Sequence, residues 1–393
     1  MPTTTTRRNF QRLALGGAAS LGLLGTAVRA AEPSLSERWD QLRASQPRLP
    51  ARDAARQLGV SEAELLNTRA GGTVTRLRDG SDTAREAMRR VLGLGEIMAL
   101  TRNENAVIET TGVPRPLPER LTRPAADPAA EAQRQRQLQS VVGYLGGPID
   151  LRTDFSVWHF AFAVVQPGAQ GKTSRSLQFF DAQGQAVHKV YLTEASDVAA
   201  YERLVAEFSA QASSGPLSVA PVLARPADRP DASVDQPGLQ QAWGEITDVH
   251  QFSRLLSRFG VERQQAFRLA PAGKAVALQA RAVRPLLQEA AARKVALMAF
   301  VGNAGVTEIY SGNIDKVQEV GGYFNVLDPK FNLHLRDSAF RSAWLLERGS
   351  IHSVEFFDDQ GQLAVSFFGV HGRGEPQPAA WVELVRGLPR LAG

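Results

Sequence analysis

The two halves of the chain carry nearly the same segment, SLQFFDAQGQAVHKVYL from Ser176 and SVEFFDDQGQLAVSFFG from Ser353. In the first copy Leu177 and Phe179 alternate with polar neighbours, which predicts a strand with one buried face. Each copy then continues through an Asp-x-Gln-Gly turn into a second apolar stretch, so each is predicted to be a β-hairpin. The sequence therefore predicts an α+β tandem duplication: two similar units, each with a large antiparallel sheet and flanking helices, enclosing a groove between them.

Chain length and proline content indicate where the two units meet. A chain of 393 residues exceeds the usual size of a single hydrophobic core. Residues 213–238 contain five prolines and few large apolar residues, which is typical of a linker. The units are therefore predicted at residues 32–212 and 239–393. Residues 112–137, rich in Pro, Arg, Ala and Gln, are predicted to be an insertion in the first unit.

Residues 1–31 have the features of an export signal. Arg7 and Arg8 stand ahead of Phe10, and an uncharged stretch rich in Gly, Ala and Leu follows them. The paired arginines predict a twin-arginine signal, which exports folded proteins, and the mature chain would begin near Ala31 in the periplasm with no stable membrane span. An ordinary secretory signal or an uncleaved anchor is the alternative, and the protein would be cytoplasmic if the signal is not used.

Composition and missing motifs exclude several classes of function. The 45 basic and 40 acidic residues include no basic run interleaved with aromatics, so no nucleic-acid partner is expected. The chain has no cysteine, which excludes disulfides, thiolate metal sites, a cysteine nucleophile and covalent haem attachment. Neither HExxH, nor GxSxG, nor a P-loop occurs, so a zincin, a serine hydrolase and a P-loop enzyme are unsupported.

Among the six histidines, His250 has the most informative local sequence. Thr247 or Asp248 is a suitable N-cap, which would place His250 in the first turn of a helix. The positive end of the helix dipole disfavours a protonated ring there, leaving a ring lone pair free to bind iron. A structural histidine is the alternative, and for His188 and His334, within strand patterns, it is the preferred interpretation.

Several motifs in one order, from about Leu35 to Trp381, resemble those of the HemS/HmuS-type hemin-degrading factors. They are Thr101-Arg-Asn103, Ile149-Asp-Leu-Arg152 with Trp158, the hairpin from Ser176, Thr247-Asp-Val-His-Gln-Phe252, Arg263-Gln-Gln-Ala-Phe267, Asn325-Val-Leu-Asp-Pro329 and Phe331-Asn-Leu-His-Leu335.

This resemblance implies that one haem b is enclosed between a histidine and an arginine. His250 would be the proximal ligand of the haem iron, Arg152 the distal arginine, and Arg263 a partner of a haem propionate. Arg348 would replace a lysine that the family carries in a longer loop. His371 stands where an arginine is usual, with Arg373 as its replacement, and a neutral His371 would offer a second ligand.

The resemblance also implies a function in iron acquisition, in two versions that the sequence leaves open. In the first, the protein binds hemin and degrades it oxidatively with an external reductant, and Arg152 serves catalysis by donating hydrogen bonds on the distal side. In the second, it is a non-catalytic haem carrier or buffer in the periplasm. The partners would be a reductase, or a protein that donates or accepts haem. A relic that has lost haem is disfavoured by the presence of both His250 and Arg152.

Overall fold

The structure is a computed structural model that describes residues 32–47, 49–116, 127–128, 130–131, 147–167, 171–210, 215–222, 227–372 and 375–391. Ten helices of the described residues are numbered in chain order: α1 Leu35–Ser45, α2 Ala51–Leu58, α3 Glu62–Asn67, α4 Ser81–Val91, α5 Val198–Phe208, α6 Gln236–Gly244, α7 Gln251–Phe259, α8 Arg263–Arg268, α9 Val283–Ala292 and α10 Ala379–Arg386. The strands of the first half are β1 Val74–Arg76, β2 Gly95–Arg102, β3 Ala106–Gly112, β4 Asp150–Thr153, β5 Phe160–Pro167, β6 Thr173–Phe180 and β7 Ala186–Ser196. Those of the second half are β8 Ala275–Leu278, β9 Leu297–Gly302, β10 Val306–Gly312, β11 Val317–Val320, β12 Tyr323–Asp328, β13 Phe331–Leu335, β14 Ser342–Arg348, β15 Ile351–Phe357 and β16 Leu363–Gly369.

These strands form two antiparallel sheets. The larger has nine strands in the order β1-β5-β6-β7-β2-β3-β13-β12-β11, and the smaller has seven in the order β4-β10-β9-β16-β15-β14-β8. The predicted α+β duplication is confirmed, because helices precede a long run of antiparallel strands in each half. A capping box begins α3, with the side chains of Ser61 and Glu64 each accepting the backbone N–H of the other.

The two halves exchange strands: the first half gives β4 to the seven-stranded sheet, and the second half gives β11, β12 and β13 to the nine-stranded sheet. Strand β4 belongs by sequence to the first half but pairs with β10 of the second, where Arg152 faces Thr307. Strand β13 does the reverse and pairs with β3, where His334 faces Val107. The hydrophobic cores are exchanged in the same way: Ala106 and the neighbouring part of β3, from the first half, pack in the core of the second half. Neither sheet is therefore complete without residues from the other half of the chain.

Two asparagines join the sheets in a reciprocal way. Asn103 Nδ2 donates to the carbonyl oxygens of Gly302 and Ala364, at 3.0 and 2.8 Å. Asn303 Nδ2 donates to the carbonyl oxygens of Arg102 and Val187, also at 3.0 and 2.8 Å. The Oδ1 atom of each accepts two backbone N–H groups of its own turn. The contacts are related by an approximate two-fold axis that passes between the sheets.

The repeated hairpins are present, with one correction to the sequence prediction. The turns end in Gly184 and Gly361, whose φ values of 72° and 70° lie in the left-handed region that glycine adopts without strain. The strands are not half-buried as predicted: every residue of β15 is buried, and Ser176 and Gln178 of β6 are buried together with Leu177 and Phe179. Helices of each half cover the face that was expected to be exposed, as Phe357 shows by packing with residues of α6 to α8.

The predicted leader and insertion fall largely outside the described part of the chain. The leader at residues 1–31 lies outside the described residues, and so do residues 117–126, 129 and 132–137 of the predicted insertion at 112–137. The boundaries of the two sequence units stay a prediction, although each predicted unit supplies its own set of helices and its own hairpin. Among the described residues, no helix is both long enough and apolar enough to cross a membrane.

Candidate ligand pocket

A pocket of about 1390 Å³ lies on one face of the seven-stranded sheet. Its floor is apolar, with Met298 and Phe300 of β9, Ile309 of β10 and Phe368 of β16. The connection between α6 and α7 lines one part of the wall, and the β2–β3 and β6–β7 turns of the first half line another. The volume exceeds the roughly 300–1,000 Å³ of ordinary small-molecule sites, so the pocket has room for a large ligand.

His250 lines this pocket from the residue directly before α7, one residue earlier than the predicted first helical turn. Asp248 sets its position, because one carboxylate oxygen accepts the backbone N–H of His250 at 2.9 Å and also lies within hydrogen-bond distance of the ring Nδ1. With Nδ1–H donated to that carboxylate, the lone pair is on Nε2. The side chain is 89% exposed. Nε2 is therefore accessible to a ligand in the pocket, and the carboxylate behind Nδ1 is the usual partner of a metal-binding imidazole.

Arg152 reaches the same pocket because of the strand exchange. It lies on β4 opposite Thr307, which also lines the pocket. Its guanidinium forms an ion pair with Asp150, two residues earlier on the same strand, and its side chain remains 45% exposed. Both partners are on one short edge strand, so the guanidinium lies at the rim with hydrogen-bond donors available to a ligand.

Arg263 and Arg348 share one buried carboxylate. Arg263 donates two hydrogen bonds of 2.9 Å to Glu355, and Arg348 donates one of 2.9 Å to the same residue and one of 2.6 Å to Ser353. Burial raises the pKa of Glu355, but the charges of Arg263 and Arg348 outweigh it and hold that pKa below its ordinary value. Both guanidiniums also pack over the ring of Phe252, at 5.5 and 4.9 Å. This triad anchors the start of α7, and with it the position of His250.

His371 lines the pocket just beyond the end of β16. Its Nδ1 lies 2.8 Å from the carbonyl oxygen of Gly369, an acceptor only, so Nδ1 carries the proton and Nε2 has the lone pair. Arg373, the predicted replacement for the usual arginine, lies outside the described residues. The structure thus brings His250, Arg152, Arg263, Arg348 and His371 to one pocket. Their roles toward a ligand remain predictions.

Comparison with known proteins places the chain among haem-utilisation proteins. The chain is 33% identical over 365 residues to the hemin transport protein HmuS of Yersinia pestis, covering 90% of this chain and 97% of that protein. The chain belongs to the HemS/HmuS family. The family profiles agree: that of the haemin-degrading HemS.ChuX domain matches residues 260–388, and that of haem utilisation ChuX/HutX matches residues 76–204.

Solved structures of family members have the same fold. The holo form of PhuS, a heme-binding protein of Pseudomonas aeruginosa, is 37% identical and superposes with a TM-score of 0.80, covering 91% of this chain and 99% of PhuS. ChuS, a heme degrading enzyme of Escherichia coli O157:H7, is 30% identical with a TM-score of 0.76, covering 90% of this chain and 98% of ChuS. The resemblance inferred from the motifs is confirmed.

Sequence reasoning did not single out several charged residues that line or support this HemS/HmuS-type pocket, among them Arg52, Arg102 and Glu355. The signal for Glu355 was present, because it replaces Gln178 of the first hairpin at a strand position that is buried in both copies. A carboxylate at such a position requires a cationic partner. Arg102 was quoted only as part of a motif, and its position in the pocket depends on how the two halves pack.

Two titratable side chains lie buried behind the pocket floor. Glu308 alternates on β10 with Thr307 and Ile309, which line the pocket, so it points to the other face of the sheet. Burial raises the pKa of Glu308 to about 8, although the hydroxyls of Thr101 and Thr110 oppose the shift. Burial lowers the pKa of His188 to about 3, and its Nδ1 lies 2.9 Å from Thr101 Oγ1. At neutral pH both side chains are therefore uncharged, as the interior between two sheets requires. His188 has the structural role that the sequence favoured.

Proposed function

We propose that this protein binds one haem b in the pocket, with Nε2 of His250 as the proximal ligand of the iron. The observation that supports this most directly is the joint position of an accessible imidazole, held by Asp248, and of Arg152 around one pocket with an apolar floor. Imidazole is a common axial ligand of haem iron, and apolar walls suit the porphyrin faces. The donor set and the size of the pocket fit this cofactor.

Each part of the site has a separate task in this proposal. The apolar floor keeps water from the porphyrin faces, and Asp248 holds the His250 ring in the tautomer that leaves Nε2 free. Arg152 supplies hydrogen-bond donors on the distal side, and the Arg263–Glu355–Arg348 triad fixes the helix that follows His250. Bound haem would supply the redox chemistry, with electrons from an external reductant.

We further propose that the protein degrades haem oxidatively and so releases iron. ChuS, which has the same fold, is a heme degrading enzyme. The second candidate is a haem carrier or buffer, which the name of the relative HmuS, a hemin transport protein, favours. The twin-arginine pattern of residues 1–31 supports export, and a periplasmic protein would receive haem from a donor and pass it to an acceptor.

A hemin titration followed by Soret absorbance tests the binding proposal. The mature protein is expected to give a one-to-one Soret band that His250→Ala loses or shifts strongly. His159→Ala is the matched control, because His159 is exposed and does not line the pocket. Normal binding by His250→Ala would contradict the assignment of the ligand.

Adding ascorbate under oxygen, with catalase present, then separates the two candidates. Loss of the Soret band with release of iron supports degradation, since catalase removes the free peroxide that destroys haem without an enzyme. A band that persists and passes to an acceptor protein supports the carrier. Detection of the mature protein in a periplasmic extract, lost when Arg7 and Arg8 are both changed to Lys, tests export.

A further inference from the structure

The short segment that carries His250 lies between two buried anchors. Ile246 before it and Phe252 after it are buried in the hydrophobic core formed with α6 to α8. Between them, residues 247–251 are exposed or only partly buried. Helix α7 also begins without a side-chain cap, because His250 is its N-cap residue and makes no capping hydrogen bond. The conformation of the segment therefore depends on hydrogen bonds made within it.

Gln251, the first residue of α7, supplies several of these hydrogen bonds. Its side-chain Oε1 accepts the backbone N–H of Thr247 at 2.9 Å and that of Asp248 at 3.2 Å. Its own backbone N–H donates to the carbonyl oxygen of Asp248 at 2.9 Å. Asp248 is thus bonded to Gln251 through both its N–H and its C=O, while its carboxylate contacts His250. Gln251 itself does not line the pocket, so it acts on a ligand through these neighbours.

We infer that Gln251 is a positioning residue, which holds Asp248 where the carboxylate selects the ring tautomer of His250. This rests on the proposed function, in which Nε2 of His250 binds the haem iron. A neutral imidazole carries its proton on either nitrogen, and only the Nδ1–H form leaves the lone pair on Nε2. The ring is mostly exposed, so its tautomer depends on the carboxylate of Asp248. The side chain of Asp248 is short, and a displacement of its backbone therefore moves the carboxylate away from Nδ1.

The first test needs no haem and reads the tautomer directly. The histidine rings of the mature apoprotein are labelled with ¹⁵N and observed by NMR at alkaline pH, where they are neutral, and His250→Ala assigns the signal of His250. The wild type is expected to carry the proton on Nδ1. Gln251→Met, which keeps the side-chain length but has no oxygen acceptor, is expected to give a mixture of both tautomers. Gln251→Glu, which keeps an acceptor oxygen, is expected to restore the wild-type tautomer.

The matched control is the same substitution at a glutamine of the preceding helix. Gln241 bonds Glu245 at the exposed end of α6 and does not line the pocket. Gln241→Met is therefore expected to show the wild-type tautomer of His250. Gln251 is only partly buried, so its variants are expected to fold like the wild type.

A hemin titration then measures the consequence for the ligand. Gln251→Met is expected to weaken hemin binding by up to about tenfold, the scale of an indirect partner of a metal-binding histidine. Gln251→Glu and Gln241→Met are expected to bind like the wild type. In the background of Asp248→Ala, which has no carboxylate to position, Gln251→Met is expected to cause no further loss.

The opposite results contradict the inference and separate it from the proposed function. A wild-type tautomer in Gln251→Met overturns it, and so does an equal further loss of affinity in the Asp248→Ala background. A tautomer mixture in Gln251→Glu as large as that in Gln251→Met would indicate a general disturbance of the helix start, which also overturns it. If the tautomers change as expected but the wild type does not bind hemin, the proposed function fails and the positioning role stands. If the wild type binds hemin and Gln251→Met changes neither tautomer nor affinity, only the inference fails.

Discussion

The two halves have the same fold, but they use equivalent positions for different purposes. Arg152 on β4 and His334 on β13 occupy matching places on the exchanged strands, opposite Thr307 and Val107. Arg152 points to the pocket with only its neighbour Asp150 as a charged partner, whereas His334 Nδ1 is bonded to Asn325 at 2.7 Å and its Nε2 lies 3.9 Å from Glu109. The fold thus provides two equivalent positions, and in only one of them does the side chain remain available to a ligand.

The helical layers differ in a similar way. In the second half the connection before α7 ends in His250, which is 89% exposed, whereas the matching connection before α2 ends in Pro50. Beneath these helices the second half has the Arg263–Glu355–Arg348 triad, and the first half has a simple pair of Glu62 and Lys189. Under the proposed function, the second half would hold the ligand, while the first half would close the pocket and add charge to its wall.

The largest expected effect concerns the two buried ion clusters. Glu355→Gln leaves the buried guanidinium of Arg348 and the part-buried guanidinium of Arg263 without their carboxylate. It is expected to lower the free energy of unfolding by about 3–5 kcal/mol, measured by urea denaturation. Glu62→Gln should cost less, because it isolates one cation and a buried lysine can lose its proton whereas an arginine cannot. Glu194→Gln, in the exposed pair of Glu194 with Lys172, is the control and should change the free energy of unfolding little. If Glu62→Gln lowered the free energy of unfolding more than Glu355→Gln does, the difference inferred between the two buried ion clusters would be wrong.

The next effect concerns Glu308 and His188, each found in one half only, since Ile108 and Val365 occupy the matching positions. The pKa of Glu308 rises on folding from 4.5 to about 8, and that of His188 falls from 6.5 to about 3. Between pH 4.5 and 6.5 the folded protein holds the Glu308 proton and the unfolded protein holds the His188 proton, so these two groups leave stability flat.

Outside that window the two groups act separately. From pH 6.5 to about 8 the folded state holds the Glu308 proton that the unfolded state has lost, so stability falls as pH rises, by an amount of the order of a few kcal/mol. Below pH 4.5 the unfolded state holds the additional His188 proton, so stability falls as pH falls. Glu308→Gln is expected to remove the loss above pH 6.5 and also the flat region, so that stability falls as pH falls from pH 6.5 downward, because His188 then acts alone. An unchanged profile in thermal denaturation from pH 4 to 9 would show that Glu308 is not buried as described.

The reciprocal asparagines should show where the halves remain equivalent. Asn103→Ala and Asn303→Ala each remove two donated and two accepted hydrogen bonds, so each should lower the free energy of unfolding by about 2 kcal/mol. The two losses should agree within about 0.5 kcal/mol. A marked difference in urea denaturation would mean that the two-fold relation does not extend to the energetics.

The smallest expected effect is local to the pocket. Asp248→Asn keeps an oxygen that can accept the backbone N–H of His250 but removes the carboxylate behind Nδ1. Hemin affinity is expected to fall about tenfold with little change in stability, as for other partners of metal-binding histidines. Asp150→Asn, which changes the partner of Arg152 instead, is the comparison in the same Soret titration. Equal affinity of Asp248→Asn and the wild type would contradict the orienting role.

Much of the fold could be predicted from the sequence, because it is encoded locally. The hairpins follow from alternation and from glycines at their turns, and α3 from a capping box. The exchange of β4 and β13 could not be predicted, because a strand as short as Asp150–Thr153 does not specify which edge it joins. His250 and Arg152 could be identified through their motifs, whereas the isolation of Arg102 could not. Among the described residues, Arg102 lacks a partner because of where folding places its neighbours, and no sequence pattern indicates this.

The strand exchange has a consequence for how such a chain can arise. One half carries both a strand that leaves and an edge that accepts the equivalent strand. Two separate copies of a single half could therefore complete each other through the same isologous pairings, as subunits of a symmetric dimer do. Joining them in one polypeptide makes the association permanent and independent of concentration. It also frees the two copies from having identical sequences, so a histidine can be placed on one side of the axis and an unpaired arginine on the other.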